Sequence, residues 1–132
     1  MSETFAQIDA HFHAGSESPD EALDLIFMLD RDDWSTLARV WTARPAAWRR
    51  DCAYVLHYGP AERCIPFLQR AIFDLEEDVA NEAAVSLAIQ MLGTGDTSLP
   101  ENVRAKLIEL AMRPAAKDNE ELRRLLKAID GR

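Results

Sequence analysis

The sequence predicts an all-α single domain of about six to eight helices, and three observations predict it. Apolar residues recur at three- and four-residue spacing, and no window carries the period-two alternation of a half-buried strand. Prolines and glycines cut the chain into intervals of helical length. With 132 residues and 48% hydrophobic content, the chain can bury one core without a metal or a disulfide framework.

In chain order, Glu3 to Phe12 reads as a short amphipathic helix. Ser18-Pro19-Asp20-Glu21 reads as a capping box, with serine at the N-cap, proline at the first helical position and glutamate three residues after the cap. The helix that follows runs through Leu23, Ile26 and Phe27 to Leu29 or Asp30. Asp32 and Asp33 are placed to cap the next one, in which Trp34, Leu37, Val40 and Trp41 recur until Pro45 interrupts. A helix from Pro45 to Tyr58 is stopped by Gly59, and Pro60 opens another that reaches Phe73. After the acidic turn Leu75 to Asp78, Val79 to Leu92 forms the next, stopped by Gly93 and Gly95. Pro100 to Met112 and Asp118 to Ile129 supply the last pair.

The formal charge of −8 is laid out in blocks. Residues 1–33 hold nine acids against Arg31, whereas residues 34–70 hold six arginines against Asp51 and Glu62. Residues 71–101 carry seven acids and no base. A net acid excess repels a phosphate backbone, so no nucleic-acid ligand is expected, and a basic protein partner is the natural counterpart. No apolar run is long enough for a membrane span, and Met1 to Ala10 lacks the features of a signal peptide, which predicts a cytoplasmic protein with no membrane association. Two cysteines, Cys52 and Cys64, stand outside any C-x-x-C pair or zinc spacing and read as reduced, half-buried thiols.

Sliding the sequence by 31 residues, without a gap, superposes Trp34 on Ile65, Leu37 on Leu68, Arg39 on Arg70 and Trp41 on Ile72. The same shift brings Trp48 onto Val79, Asp51 onto Glu82, Ala53 onto Ala84 and Leu56 onto Leu87. Self-similarity at a fixed period is the signature of stacked units. Arg113-Pro114-Ala115-Ala116 loosely echoes Arg44-Pro45-Ala46-Ala47 as the trace of a third copy.

Cys64-Ile65-Pro66-Phe67-Leu68, followed by Ala71, Asp74, Val79, Ala83-Ala84 and Leu87, resembles a HEAT repeat: Ile-Pro-x-Leu in a first helix, an acidic turn, then Val, Ala and Leu along a second. The resemblance covers residues 60–95 best, 34–59 moderately and the ends poorly. Ala80 stands where such repeats usually carry the arginine of a polar ladder between units. The resemblance implies a short right-handed stack of antiparallel helix pairs, with acidic N-terminal helices over 1–33, pairs at 34–59 and 60–95, and a C-terminal pair over 98–132. It also implies binding rather than a reaction, on a concave face lined by the second helix of each pair.

On the helix from Pro45 to Tyr58, a step of about 100° per residue gathers Trp48, Cys52, Ala53, Val55 and Leu56 on one side. Arg50, Asp51, Tyr54, His57 and Tyr58 gather on the other, and the 31-residue shift sets Asn81, Glu82, Val85, Ala88 and Ile89 beside them. Tyrosines, an arginine, a histidine and aliphatics on adjacent helices have the composition of an interaction hot spot. The competing reading is that terminal helices fold over these strips. Trp34 and Trp41 read as core, and His11 and His13 as a solvated helix end rather than a metal site. The acids Asp74, Glu76, Glu77 and Asp78 gather at the turn of the second repeat; the dipole of the helix starting near Val79 accounts first for Asp78 and Glu77, and contact of the whole cluster with a basic partner is an added use of the same charges.

No phosphate loop, H-E-x-x-H, G-x-S-x-G or nucleotide fingerprint occurs, so neither an enzyme nor a cofactor is expected. The expectation is a protein-binding module that neutralises a partner: a cytosolic immunity or antitoxin-type inhibitor of a basic toxic effector. An adaptor or assembly factor on the same scaffold is the alternative. Two or three repeats leave apolar ends, which predicts a monomer or a weak homodimer.

Overall fold

The computed structural model describes residues 2–15, 19–113 and 119–130, with Pro19 and Asp20 described by backbone alone. Among the described residues there are eight α-helices and no strand: α1 (Glu3–His13), α2 (Leu23–Met28), α3 (Arg31–Val40), α4 (Ala46–Val55), α5 (Ala61–Ala71), α6 (Glu77–Thr94), α7 (Glu101–Ala111) and α8 (Glu120–Asp130). Short 3-10 turns at Pro19–Ala22, Trp41–Ala43 and Leu56–Tyr58 lead into α2 and extend α3 and α4.

The helix ends follow local chemistry. Ser2 accepts a hydrogen bond from the Phe5 N–H at the start of α1 and donates its own hydroxyl to Asp33. Asp30, in extended backbone, caps α3 in a reciprocal box in which its carboxylate takes the Asp33 N–H and Asp33 takes the Asp30 N–H. Burial raises the pKa of Asp33, but the hydrogen bonds from Ser2 and Asp30 outweigh it and leave that carboxyl below its ordinary value. The α3 cap is therefore Asp30, not the expected Asp32 or Asp33, because the chain turns helical immediately after the extended residue 30. The capping box at Ser18 lies outside the described residues, as do Pro114 to Ala116 and Asp118; α8 takes its first-turn cap from Asn119, whose Oδ1 accepts the Leu122 N–H.

Helix α6 runs through Gly93 to Thr94, two residues past Leu92, and is stopped by the second of the two expected glycines, Gly95, in the left-handed conformation at φ 76°. Its packing neighbours are α4, α5, α7 and α8, and four of its buried residues, Ala80, Ala83, Ala84 and Ala88, are small, beside the larger Val79, Leu87 and Met91. Small side chains let helices approach closely, so α6 serves as the axis of the molecule. Its two buried polar groups complete the end of its neighbour: Ser86 Oγ donates to the Ala53 carbonyl at 2.6 Å, and Gln90 Nε2 donates to the carbonyls of Leu56 and Gly59, each at 2.8 Å. Those carbonyls belong to the last turns of α4, where intrahelical donors run out.

Alternate helices form a layer, α4 against α6 and α6 against α8, while α1 and the Pro19–Ala22 turn pack on α4. Five pairs related by the 31-residue shift are buried at both positions, Leu37 and Leu68, Trp41 and Ile72, Trp48 and Val79, Ala53 and Ala84, and Leu56 and Leu87, and Arg39 and Arg70 are both exposed, whereas Trp34 is buried and Ile65 half-buried. Trp34 and Trp41 lie in the core, as expected. Trp48 meets Phe12 edge-on at 5.2 Å and Trp41 at 6.1 Å, while Phe67 meets Trp41 at 5.1 Å.

Two carboxylates tie these aromatics down. Asp9 receives Arg44 Nε and Nη2 at 2.9 and 3.0 Å and Trp48 Nε1 at 3.1 Å. Asp74 receives Arg49 Nε and Nη2 at 2.9 and 3.1 Å, Trp41 Nε1 at 3.0 Å and the Glu76 N–H at 3.0 Å. Asp74 is thereby withdrawn from the acidic cluster that a basic partner could meet. Its side chain is only 5% exposed and binds laterally, whereas Glu77 and Asp78 stand exposed in the first turn of α6.

Candidate functional site

The sequence-derived strip lies on α4, the 3-10 turn after it, and α6. The inward side of α4 is as expected: Trp48, Cys52, Ala53, Val55 and Leu56 are all buried. On the outward side Arg50, Tyr54 and Tyr58 are exposed, Tyr58 at 60%, and Asp51 is half-buried. Along the middle of α6, Asn81, Glu82, Val85 and Ile89 are half-buried, while the residues between them are buried.

His57 departs from the expectation, being buried at 7%. The chain tightens to a 3-10 turn at Leu56–Tyr58, which advances each residue by about 120° instead of 100° and rotates His57 inward. There its Nδ1 donates to the Tyr54 carbonyl, and its ring lies 4.8 Å from that of Tyr54 and 3.8 Å from that of Tyr58. The histidine thus supports the two tyrosines from beneath. Ala88 is likewise fully buried and drops out of the strip, because at that point α6 is enclosed by its neighbours.

The strip carries electrostatic strain. Burial raises the pKa of Glu82 above its ordinary value near 4.5; Arg50 and His57 oppose that rise, while Asp51 and Asp78 add to it. Arg50 is itself drawn to Asp51 at 3.6 Å. Next to Glu82, Asn81 Oδ1 is buried and has no hydrogen-bond partner among the described residues. An acceptor in that state is a cost unless something outside the chain donates to it.

Comparison with known protein families, curated proteins and solved structures finds no match for this chain. The site is read on its own geometry.

Both thiols are buried, more deeply than the half-buried expectation, because they face the α4–α5 side of the core. Burial pushes Cys64 up to about 12 and Cys52 higher still, with Cys64 and Asp51 adding to the latter, so neither is a nucleophile at neutral pH. His13 pairs with Asp9 at 3.1 Å and His11 Nε2 is buried without a partner; no cluster of metal-ligating side chains occurs among the described residues. No helix among them is long and apolar enough to cross a membrane.

One feature has no counterpart in the expected site. Between α3 and α5 lie two adjoining hollows of about 300 and 280 Å³ that share Ala38, Phe67 and Arg70. The arginine-rich stretch over 34–70 is the trace of this face in the sequence, through Arg63 and Arg70. The sequence pattern gives them no floor, since that requires Trp34, Trp41 and Phe67 to meet in space.

Proposed function

We propose that this chain is a short HEAT-like stack that binds another protein through the strip on α4 and α6 and neutralises it, as a non-enzymatic inhibitor of a basic toxic effector. The observation that carries this reading is the pairing of two propped tyrosines with an undersatisfied polar line: Tyr54 and Tyr58 over His57, beside the unpartnered Asn81 Oδ1 and the half-buried Glu82. Rigid aromatics bury area at small entropic cost, and a donor from a partner would satisfy Asn81. A lysine or arginine set against Glu82 would favour its charged form against the burial that opposes it, which fits a basic ligand and the net charge of −8.

The stacked reading draws support from the layer of α4, α6 and α8 and from the matched burial at 31-residue intervals. It also draws on the Arg49–Asp74 pair, in which an arginine just after the start of one second helix reaches the acidic turn of the next unit. In that arrangement the C-terminal pair extends the stack as a third unit and leaves the strip open.

The test is an affinity capture from the cells that make the protein, comparing the wild type with a Tyr54→Ala, Tyr58→Ala, Glu82→Lys variant. The expected result is one stoichiometric basic protein that survives a salt wash on the wild type and is lost from the variant. Produced alone, that protein should arrest growth, and co-production of the wild-type chain should restore it. Capture of several proteins by both forms equally would overturn the inhibitor reading and favour the adaptor.

A further inference from the structure

A second face of the molecule has the opposite chemistry, and it is independent of the reading above. The helices α3 and α5 meet through their aromatic rings: Phe67 stands edge-on to Trp34 at 6.1 Å and to Trp41 at 5.1 Å. Ala38 contributes only a methyl group between them, so the helices are propped apart and a continuous groove runs over Phe67. Pro66 and Glu62 line one wall, and because proline has no N–H the Glu62 carbonyl lacks its helical donor there. One end of the groove is lined by Trp41, Phe67 and Ala71 together with the paired Arg49 and Asp74, and it ends beside Phe73, 44% exposed, and Leu75, fully exposed, between α5 and α6.

Its rim is cationic. The guanidinium groups of Arg31, Arg63 and Arg70 border the groove, and no carboxylate among the described residues lies within ion-pair distance of any of them. Elsewhere in the same arginine-rich stretch, Arg44, Arg49 and Arg50 are all paired with aspartates. Glu62 is the single acid on the rim, since Asp74 is consumed by Arg49 and Trp41. Three uncompensated arginines around an aromatic floor, in a chain whose net charge is −8, make a local positive site in a negative field.

The geometry points to a docking groove for an acidic peptide segment of another protein, with one large apolar side chain seated in the hollow over Phe67 and flanking carboxylates on Arg31, Arg63 and Arg70. A hollow of about 300 Å³ has room for one such side chain. Arginine forks match carboxylates two bonds at a time, which gives the rim its selectivity. Nucleic acid is disfavoured because the surrounding acidic surface repels an extended phosphate chain, whereas a short peptide meets only the local rim.

The test uses a fluoresceinated peptide of alternating Glu and Asp around a single Phe, followed by anisotropy and by amide and indole N–H resonances of the isotopically labelled full chain. Saturable binding is expected, with the Trp34 and Trp41 indole signals shifting. Arg63→Glu with Arg70→Glu, both at exposed positions, should weaken it about tenfold or more, as should replacing the peptide's Phe with Ser. Ala38→Leu, which fills the hollow while leaving the rim intact, should weaken it too. The Tyr54→Ala, Tyr58→Ala, Glu82→Lys variant should bind the peptide unchanged, so failure of either proposal leaves the other standing. Absence of binding, equal binding by the charge-reversed chain, or tighter competition by a single-stranded oligothymidylate in the same groove would each overturn the assignment.

Discussion

Glu82 holds a carboxyl in a place that favours its protonated form, and that has a definite consequence for stability. Its folded pKa lies above its unfolded one. Its contribution is therefore fully favourable below about pH 4.5 and is lost as pH rises through the folded value. Glu82→Gln should accordingly be more stable than the wild type at pH 7, with the difference vanishing near pH 4, as urea denaturation at the two values would show. A less stable variant at pH 7 would mean that Arg50 dominates the site instead. Glu82 was legible as a surface position because Asp51 stands 31 residues before it. Its strain was not, because burial depends on what packs around α6. His57 was misplaced for a local reason: a wheel drawn at a constant angle does not register the tightening at Leu56–Tyr58.

Helices are joined here by close approaches as well as by side-chain interlock. Gly59 sits between the end of α4 and the start of α5, where an added Cβ would fall 2.6 Å from Cys64 Sγ and 3.1 Å from Ile26 Cγ2. Its φ of −75° is open to any residue, so the requirement is space alone. Gly59→Ala should destabilise the protein by about 1–3 kcal/mol through forced displacement of α5 or α2, measurable as an earlier chemical denaturation midpoint. A Gly59→Ala, Cys64→Ala pair should recover part of that loss, since it removes the sulfur that clashes. The sequence marked Gly59 as a helix stop, which it is. The near contact with Ile26, 33 residues earlier, left no periodic trace. The same holds for Asp74, whose partners Trp41 and Arg49 lie 33 and 25 residues away, so that a buried tie resembled a solvated turn.

At the scale of the molecule, helix number and order were legible because each helix is written in local spacing, and the N-terminal, middle and C-terminal segments each contribute helices as expected. What local spacing withheld was the arrangement around α6, which is buried over most of its circumference and carries no clear division into an apolar and a polar face. Because α6 touches α4, α5, α7 and α8, loss of one cover should weaken the whole molecule together. Leu125→Ala on α8, at a fully buried position, should cost about 2–5 kcal/mol. Unfolding followed by far-ultraviolet circular dichroism and by tryptophan fluorescence should remain one coincident transition, although α8 carries no tryptophan. Separate transitions would show that the C-terminal pair melts on its own.

The central position of α6 also bears on how the chain is made. Synthesis delivers α4 and α5 first, then α6, and only after about 25 further residues does α8 arrive to close over it. At about 5–20 residues per second, the emerging axis spends one to several seconds with an apolar flank uncovered. During that interval the nascent chain is a substrate for chaperones or for a neighbouring nascent copy, and a pause in translation between α6 and α8 should lower the yield of folded protein more than one placed anywhere upstream.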